Sequence, residues 1–227
     1  MPESTDACGA AEPAGPLPEF TLTLPANWCQ LDLDPRTRTE TIARLVEERI
    51  GAAPDQAMRD AHRELTALLR RYARQAASHG AIYAALMDQE VGGMSLSASL
   101  LVAVGEAPRD AAGAPVLDPA ELGRIMSGLA DAGDPAASGR PPADVVETRA
   151  GTAARLRRTT DSGFAGTGGS TMVTAETQYF VPVPGTDKVL ALTFSTPNLP
   201  ARQALEELFD AIAGTLDWVW GAGQAPA

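Results

Sequence analysis

A period of two in apolar positions opens the chain's patterned region at Phe20-Thr-Leu-Thr-Leu24, where Phe20, Leu22 and Leu24 alternate with threonine as in a half-buried strand. Pro25 stops that strand, and Trp28 follows closely enough to plug the edge of a core. The period then lengthens to that of a helix. Asp34-Pro35 supplies an N-cap and a proline suited to a first helical position, and Ile42, Leu45, Val46 and Ile50 share one face before Gly51. Pro54-Asp55 opens a second, longer helix. Its Met58, Ala61, Leu65, Leu68, Leu69, Tyr72 and Ala76 recur at three- and four-residue steps until Gly80.

At Ala81 the period returns to two. Ile82–Met87 and Ser95–Val104 read as strands joined through Gly92-Gly93, a hairpin. Asp118-Pro119-Ala-Glu121 resembles a capping box and starts a short helix carrying Leu122, Ile125, Met126 and Leu129 on one stripe. A Gly, Pro, Asp and Ala-rich loop covers 131–143. Strands follow at Val145–Thr148, Ala153–Arg158, Met172–Val183 and Lys188–Ser195, the last two linked by the turn Pro184-Gly185-Thr-Asp187. Within the longest, Val173, Ala175, Thr177, Tyr179, Val181 and Val183 share one face. Asn198-Leu-Pro200 begins a closing helix with Leu205, Leu208, Phe209, Ile212 and Leu216 inward, predicted to run to about Trp220.

Antiparallel strands with amphipathic helices before, between and after them imply an α+β fold, because each apolar stripe has to be covered. The expected organisation is an antiparallel sheet covered by helices in one domain over 19–220. Residues 1–18 hold four prolines and few large apolar side chains, so they and the short tail 221–227 are expected to be disordered.

Charge removes several function classes. The formal charge is -11 and the pI is near 4.6, which disfavours general affinity for nucleic acid or anionic lipid. The charge is segregated: the stretch 36–74 holds nine arginines and six acids, leaving 9 basic and 23 acidic side chains elsewhere. Only Lys188 is a lysine, a bias typical of GC-rich bacterial coding. The first residues have acids where a signal peptide needs positive charge, and no apolar run approaches the roughly 20 residues of a membrane helix. Cytoplasmic residence, without membrane insertion, is the expectation. Cys8 and Cys29 are expected to be free thiols.

Candidate chemistry is sparse. His62 and His79 both fall on the second helix and no G-x-S-x-G elbow exists, so a histidine-activated nucleophile is not expected and neither is enzymatic activity. Two cysteines and two histidines at 8, 29, 62 and 79 match no zinc spacing. Gly163-Phe-Ala-Gly-Thr-Gly-Gly-Ser-Thr171 is glycine-rich, but no lysine follows it and a strand rather than a helix comes next. It reads as a hairpin loop, and no cofactor is expected.

The clusters that remain are basic and aromatic. Arg70, Arg71 and Arg74 crowd one helix end, Arg157 and Arg158 one strand, and Trp218 and Trp220 close the chain. A solvated helix end facing the negative pole of its dipole, and surface ion pairs, explain the arginines without function. The functional reading makes Arg70, Arg71, Arg74, Arg157, Arg158 and Trp220 an interaction surface for an acidic protein partner, since guanidinium grips carboxylate and exposed aromatics anchor interfaces. Trp218 and Trp220, two positions apart at a helix end, are expected not to face the same core, with one of them partly exposed.

Phe20-Thr-Leu-Thr-Leu-Pro-Ala-Asn-Trp28, Gln178-Tyr-Phe-Val-Pro-Val-Pro-Gly185, Leu190-Ala-Leu-Thr-Phe-Ser-Thr-Pro197 and Leu208-Phe-Asp-Ala-Ile-Ala213 together resemble the bacterial PsbP-like and LpqN-like families. The resemblance implies an α/β/α sandwich on an antiparallel sheet and a non-enzymatic binding or assembly role, with no catalytic residues to carry over. Asn27 stands where those families have a turn glycine, and the helical stretch 35–80 is longer than theirs. The expected function is an adaptor subunit of a bacterial assembly, such as a secretion or envelope-associated system. The alternative is a small-ligand module with its pocket between the sheet and the 35–80 helices, lined by Tyr83, Tyr179 and Phe164.

Overall fold

The computed structural model describes residues 18–51, 55–133, 142–162 and 172–220. The expectations for the arm 1–17, the tail 221–227, the glycine-rich segment 163–171 with Phe164, and Cys8 lie outside the described residues. Nine strands and four helices are described: β1 (Glu19–Thr21), β2 (Trp28–Gln30), α1 (Arg38–Ile50), α2 (Gln56–Ser78), β3 (Ala81–Val91), β4 (Met94–Glu106), α3 (Pro119–Gly133), β5 (Ala143–Thr148), β6 (Gly151–Ser162), β7 (Met172–Pro182), β8 (Lys188–Thr196), α4 (Arg202–Ala213) and β9 (Asp217–Val219).

Seven strands form one antiparallel sheet in the order β2-β3-β4-β8-β7-β6-β5, and β1 pairs with β9 in a separate two-stranded ribbon. The fold is α+β, with helices against both faces of the sheet. One face carries Leu100 and Val102 of β4, Tyr179 and Val181 of β7, and Leu190, Leu192 and Phe194 of β8. All of these pack with Leu205, Phe209 and Ile212 of α4. Phe194 stacks on Phe209 at 4.7 Å and meets Trp28 edge-on at 6.2 Å, so Trp28 does plug the core edge, from β2. The opposite face is covered in two parts. α1 and α2 lie over Ala84, Leu86 and Leu101, and α3 lies over Ala154, Leu156 and Phe180.

Local signals set most boundaries. Asp55 accepts from the Met58 amide at 2.8 Å and Asp118 from the Glu121 amide at 2.9 Å, each capping its helix as its sequence predicts. Gly92 and Gly93 take φ of 59° and 80° at the β3–β4 turn, a conformation that other L-residues adopt at a cost.

Four expectations are corrected. The first helix begins at Arg38 rather than Pro35, because the Asp34 side chain folds back on the Arg36 amide in a turn of its own. The first strand is confined to Glu19–Thr21, where β9 supplies a partner. The third helix runs 15 residues, and its Leu129 is exposed. The closing helix, after a 3-10 turn over Leu199–Ala201, stops at Ala213, and the chain reverses into β9. In that extended segment burial alternates, so Trp218 and Trp220 are both half-buried on the same side, and the Trp218 indole donates to the Ala150 carbonyl at 3.0 Å.

Candidate functional site

Register shows what lies between the two helical covers. One row of cross-strand neighbours runs Leu86, Ser99, Ser195, Glu176, Arg158, and the next runs Ala84, Leu101, Thr193, Gln178, Leu156. Side chains in such rows share a face, with neighbouring strands about 4.8 Å apart. The second row is apolar at both ends, where α2 and α3 sit, and polar in the middle. In the first, serines and an ion pair replace apolar residues from β4 to β6. The central strip of this face therefore presents short hydroxyls.

α2 forms a wall beside that strip. Its small residues Ala73 and Ala76 are the ones it buries, while Leu65, Leu68, Leu69 and Tyr72 stay half-buried. Arg70 fixes the helix to α1 by donating to the Thr39 carbonyl at 2.8 Å. The result is a half-open cleft of about 610 Å³ between α2 and the sheet. Leucines line its wall. Ser97, Ser99, Thr193, Ser195, Thr174 and Glu176 line its floor, and Arg71, His79 and Asp88 stand among its charged and polar lining.

The floor is electrostatically quiet. Arg158 Nε donates to Glu176 Oε2 at 2.6 Å, which matches that carboxylate. Desolvation pushes the Tyr72 phenol above its ordinary range, opposed by its hydrogen bond with Ser99 and reinforced by the charge of Glu176. Tyr72 is thus a neutral hydroxyl tied to the floor. His79 Nδ1 lies 2.7 Å from the Gln75 carbonyl, which turns that ring nitrogen toward its own helix. Among the described residues no three His, Cys, Asp or Glu side chains gather where they could hold a metal ion, and no helix is long and apolar enough to cross a membrane. Chemically, the lining mixes hydrogen-bonding groups and hydrocarbon: α2 brings Leu65, Leu68 and Leu69 with Tyr72, Gln75 and His79, and the sheet brings its hydroxyls with Leu86, Met87 and Leu101.

The sequence-predicted interaction residues do not form a single patch. Arg70 reaches α1, Arg71 lines the cleft, and Arg74 is exposed between them on the outer side of α2. Arg157 faces α4, where it meets Asp210 at 3.0 Å and Glu206 at 3.4 Å. Arg158, one residue on, points to the other face and pairs with Glu176. Trp220 is half-buried beside the β1–β9 ribbon.

The sequence-predicted pocket lining differs from the observed one. Tyr179 is buried on the α4 face, donating its hydroxyl to Asp210 at 2.5 Å, and Tyr83 packs against that same core. Alternation puts both odd-numbered side chains away from the cleft; Tyr72 is the tyrosine that lines it. The serines and threonines of the floor were missed as site residues. Their signal was nevertheless present: Ser95, Ser97 and Ser99 alternate along β4, as Thr193 and Ser195 do along β8 and Thr174, Glu176 and Gln178 along β7.

No protein-family model and no curated protein matches the chain. Among solved structures it is similar to LpqN of Mycobacterium tuberculosis, described as involved in cell envelope biogenesis. That likeness has 13% identity and a TM-score of 0.44, over 92% of this chain and 87% of the other. It is also similar to the cyanobacterial PsbP of Synechocystis sp. PCC 6803, with 15% identity and a TM-score of 0.36, over 59% of this chain and 81% of that one. These are the two families whose strand pattern the sequence resembles. With scores of this size, neither likeness bears on what this chain binds.

Proposed function

We propose that the chain is a non-enzymatic binding protein that holds a small amphipathic molecule in the cleft between α2 and the sheet. The observation that carries this reading is the cleft itself. Its volume of about 610 Å³ falls in the range of small-molecule sites, roughly 300–1,000 Å³, and it combines an apolar wall with convergent polar groups. A core face left unfinished by accident would collapse, because half-buried leucines gain by packing. Here Arg70 ties α2 to α1, and Ala73 packs α2 against Ala84 of β3, beside the floor.

The adaptor reading is weaker. Arg70, Arg157 and Arg158 are each engaged within the chain, so a partner's carboxylates would have to compete with existing contacts.

Leu68→Trp tests the proposal by placing an indole in the cleft. Protein purified from its native cells is examined by native mass spectrometry as wild type and variant. A bound molecule of defined mass on the wild type, absent from a variant with an unchanged melting temperature, is the expected result. Equal occupancy of both, or of neither, overturns it.

A further inference from the structure

We infer that the β3–β4 hairpin takes an extended peptide with alternating basic and apolar side chains as an added strand, along the open edge of β3 at residues 88–91. This surface is separate from the interior of the cleft, and of its four residues only Asp88 also lines the cleft.

The hairpin outruns its neighbours at its Gly92-Gly93 end. β2 pairs with β3 only through Ala85, Leu86 and Met87, and beyond that the chain turns away, the Trp28 amide donating to the Pro25 carbonyl at 3.0 Å. Just before, the Leu31 amide donates to the Ala84 carbonyl at 2.9 Å, so the even-numbered residues of β3 direct their backbone groups to this edge. The register is unbroken from Tyr83 to Val91. Asp88 and Glu90 therefore turn N–H and C=O outward, and among the described residues neither has a backbone partner there. Asn27 meets this stretch through side chains, donating to Gln89 Oε1 at 2.7 Å. The hairpin's other edge is closed. β8 pairs with β4 as far as Ser99, and beyond it the Asn198 side chain stands in for a strand, donating to the Ser95 carbonyl and accepting from the Ser97 amide, each at 2.8 Å. An open strand edge is a template for one more strand.

Alternation gives the two faces of this edge different chemistry. Gln89 and Val91 continue the face of Ala85 and Met87, where Val91 and its neighbour Met94 are 49% and 46% exposed. Asp88 and Glu90 lie on the opposite face, both exposed. A strand laid along the edge sets every second side chain beside Asp88 and Glu90 and the others beside Gln89 and Val91. Opposite charges in such cross-strand positions attract and like charges repel, so the fitting partner carries lysine or arginine at alternate positions with apolar side chains between them. The net charge of -11 draws a basic segment in from a distance. A second copy does not fit. Antiparallel pairing of this edge with itself, through its outward residues, puts a carboxylate of Asp88 or Glu90 opposite another in every register.

Nitrogen–proton correlation NMR of the full chain follows its titration with an acetylated, amidated hexapeptide that alternates lysine with valine. Saturable shifts centred on the Asp88 and Glu90 amides are expected. The glutamate–valine counterpart should give none, nor should the same lysine–valine peptide N-methylated at its lysine amides, which keeps its charge and loses the donors that face β3. Asp88→Asn combined with Glu90→Gln is expected to weaken binding about fivefold, the worth of two exposed ion pairs. Glu90→Pro removes an outward N–H and leaves the β3–β4 ladder its bonds, so it is expected to weaken binding well beyond Glu90→Gln. Leu68→Trp, which fills the cleft, should leave the peptide's affinity unchanged, so this surface and the cleft reading fail separately. The inference is overturned by an absence of saturable shifts, by shifts centred on another edge such as β5, or by a loss of binding in Leu68→Trp. Equal binding of either control peptide, an unchanged affinity in the neutralised double variant, or equal affinities of Glu90→Pro and Glu90→Gln overturns it as well. Circular dichroism checks the fold of each variant, and if Glu90→Pro misfolds, the N-methylated peptide decides.

Discussion

At the scale of single residues, Asp210 has the most partners of any side chain on α4. Its carboxylate accepts from Arg155 at 2.7 Å, Arg157 at 3.0 Å and the Tyr179 hydroxyl at 2.5 Å, and Asp144 pairs with Arg155 from β5. The Arg155 side chain is only 12% exposed, so it depends on those carboxylates. Asp210→Asn keeps the shape and removes the charge, and is expected to cost about 2 kcal/mol in urea denaturation. That figure is reduced from the value for a fully buried pair because the carboxylate is one-third exposed. A loss within error of zero would show that Asp144 suffices. The tyrosines make a second prediction. Tyr72, Tyr83 and Tyr179 all ionise above their usual value, each mainly through desolvation, with Asp210 adding to the effect at Tyr179. In the unfolded chain they ionise near pH 10, so above that pH the folded state binds more protons than the unfolded one. This stability is complete below about pH 10 and is lost as pH rises through the folded values. Absorbance at 295 nm and circular dichroism should therefore change together in alkali. Reversible ionisation near pH 10 with an intact fold would contradict this.

At the scale of elements, α2 depends on its first turn. Asp55 caps it, Gly80 at φ 78° lets the chain leave it, and its buried contacts are made through alanines. Asp55→Ala is expected to destabilise the protein by about 1 kcal/mol and to speed amide exchange in residues 56–59, measured by hydrogen exchange. Exchange unchanged there would mean that Arg70 and α1 hold the turn without the cap. The caps and glycine turns were legible in the sequence because they act over three or four residues. The end of α4 was not. Leu216 continues the helical stripe of Leu205, Phe209 and Ile212, yet it is buried from beyond the helix, after the reversal at Gly214-Thr215. β1 captures the following segment, and the Thr23 amide, 192 residues from Thr215, donates to its hydroxyl at 2.9 Å. No local pattern reports a partner so far away.

Across the whole molecule, the cleft follows from how four helices divide two faces of one sheet. α4 closes one face with aromatic and branched residues, while α2 and α3 stand apart on the other over separate apolar clusters. The polar strip between them is the floor of the cleft. Leu68→Trp should leave stability unchanged for this reason, since it adds bulk to a space that no core residue occupies.

The α+β class, six of the seven strands of the main sheet, the four helices and the caps at Asp55 and Asp118 are legible in the sequence, because hydrophobic period and capping chemistry are local properties. The sequence also carried the two-face assignment of β7, in which Tyr179 and Val181 turn to one core and Phe180 to the other. Contacts between distant segments, by contrast, turn the leucines of α2 to a cleft instead of a closed core and stand serines from separate strands side by side. Arg157 and Arg158 show the same division: one residue apart in the chain, they point through opposite faces to different acids. Strand order and helix placement set those neighbours, and both depend on contacts between segments that the chain keeps far apart.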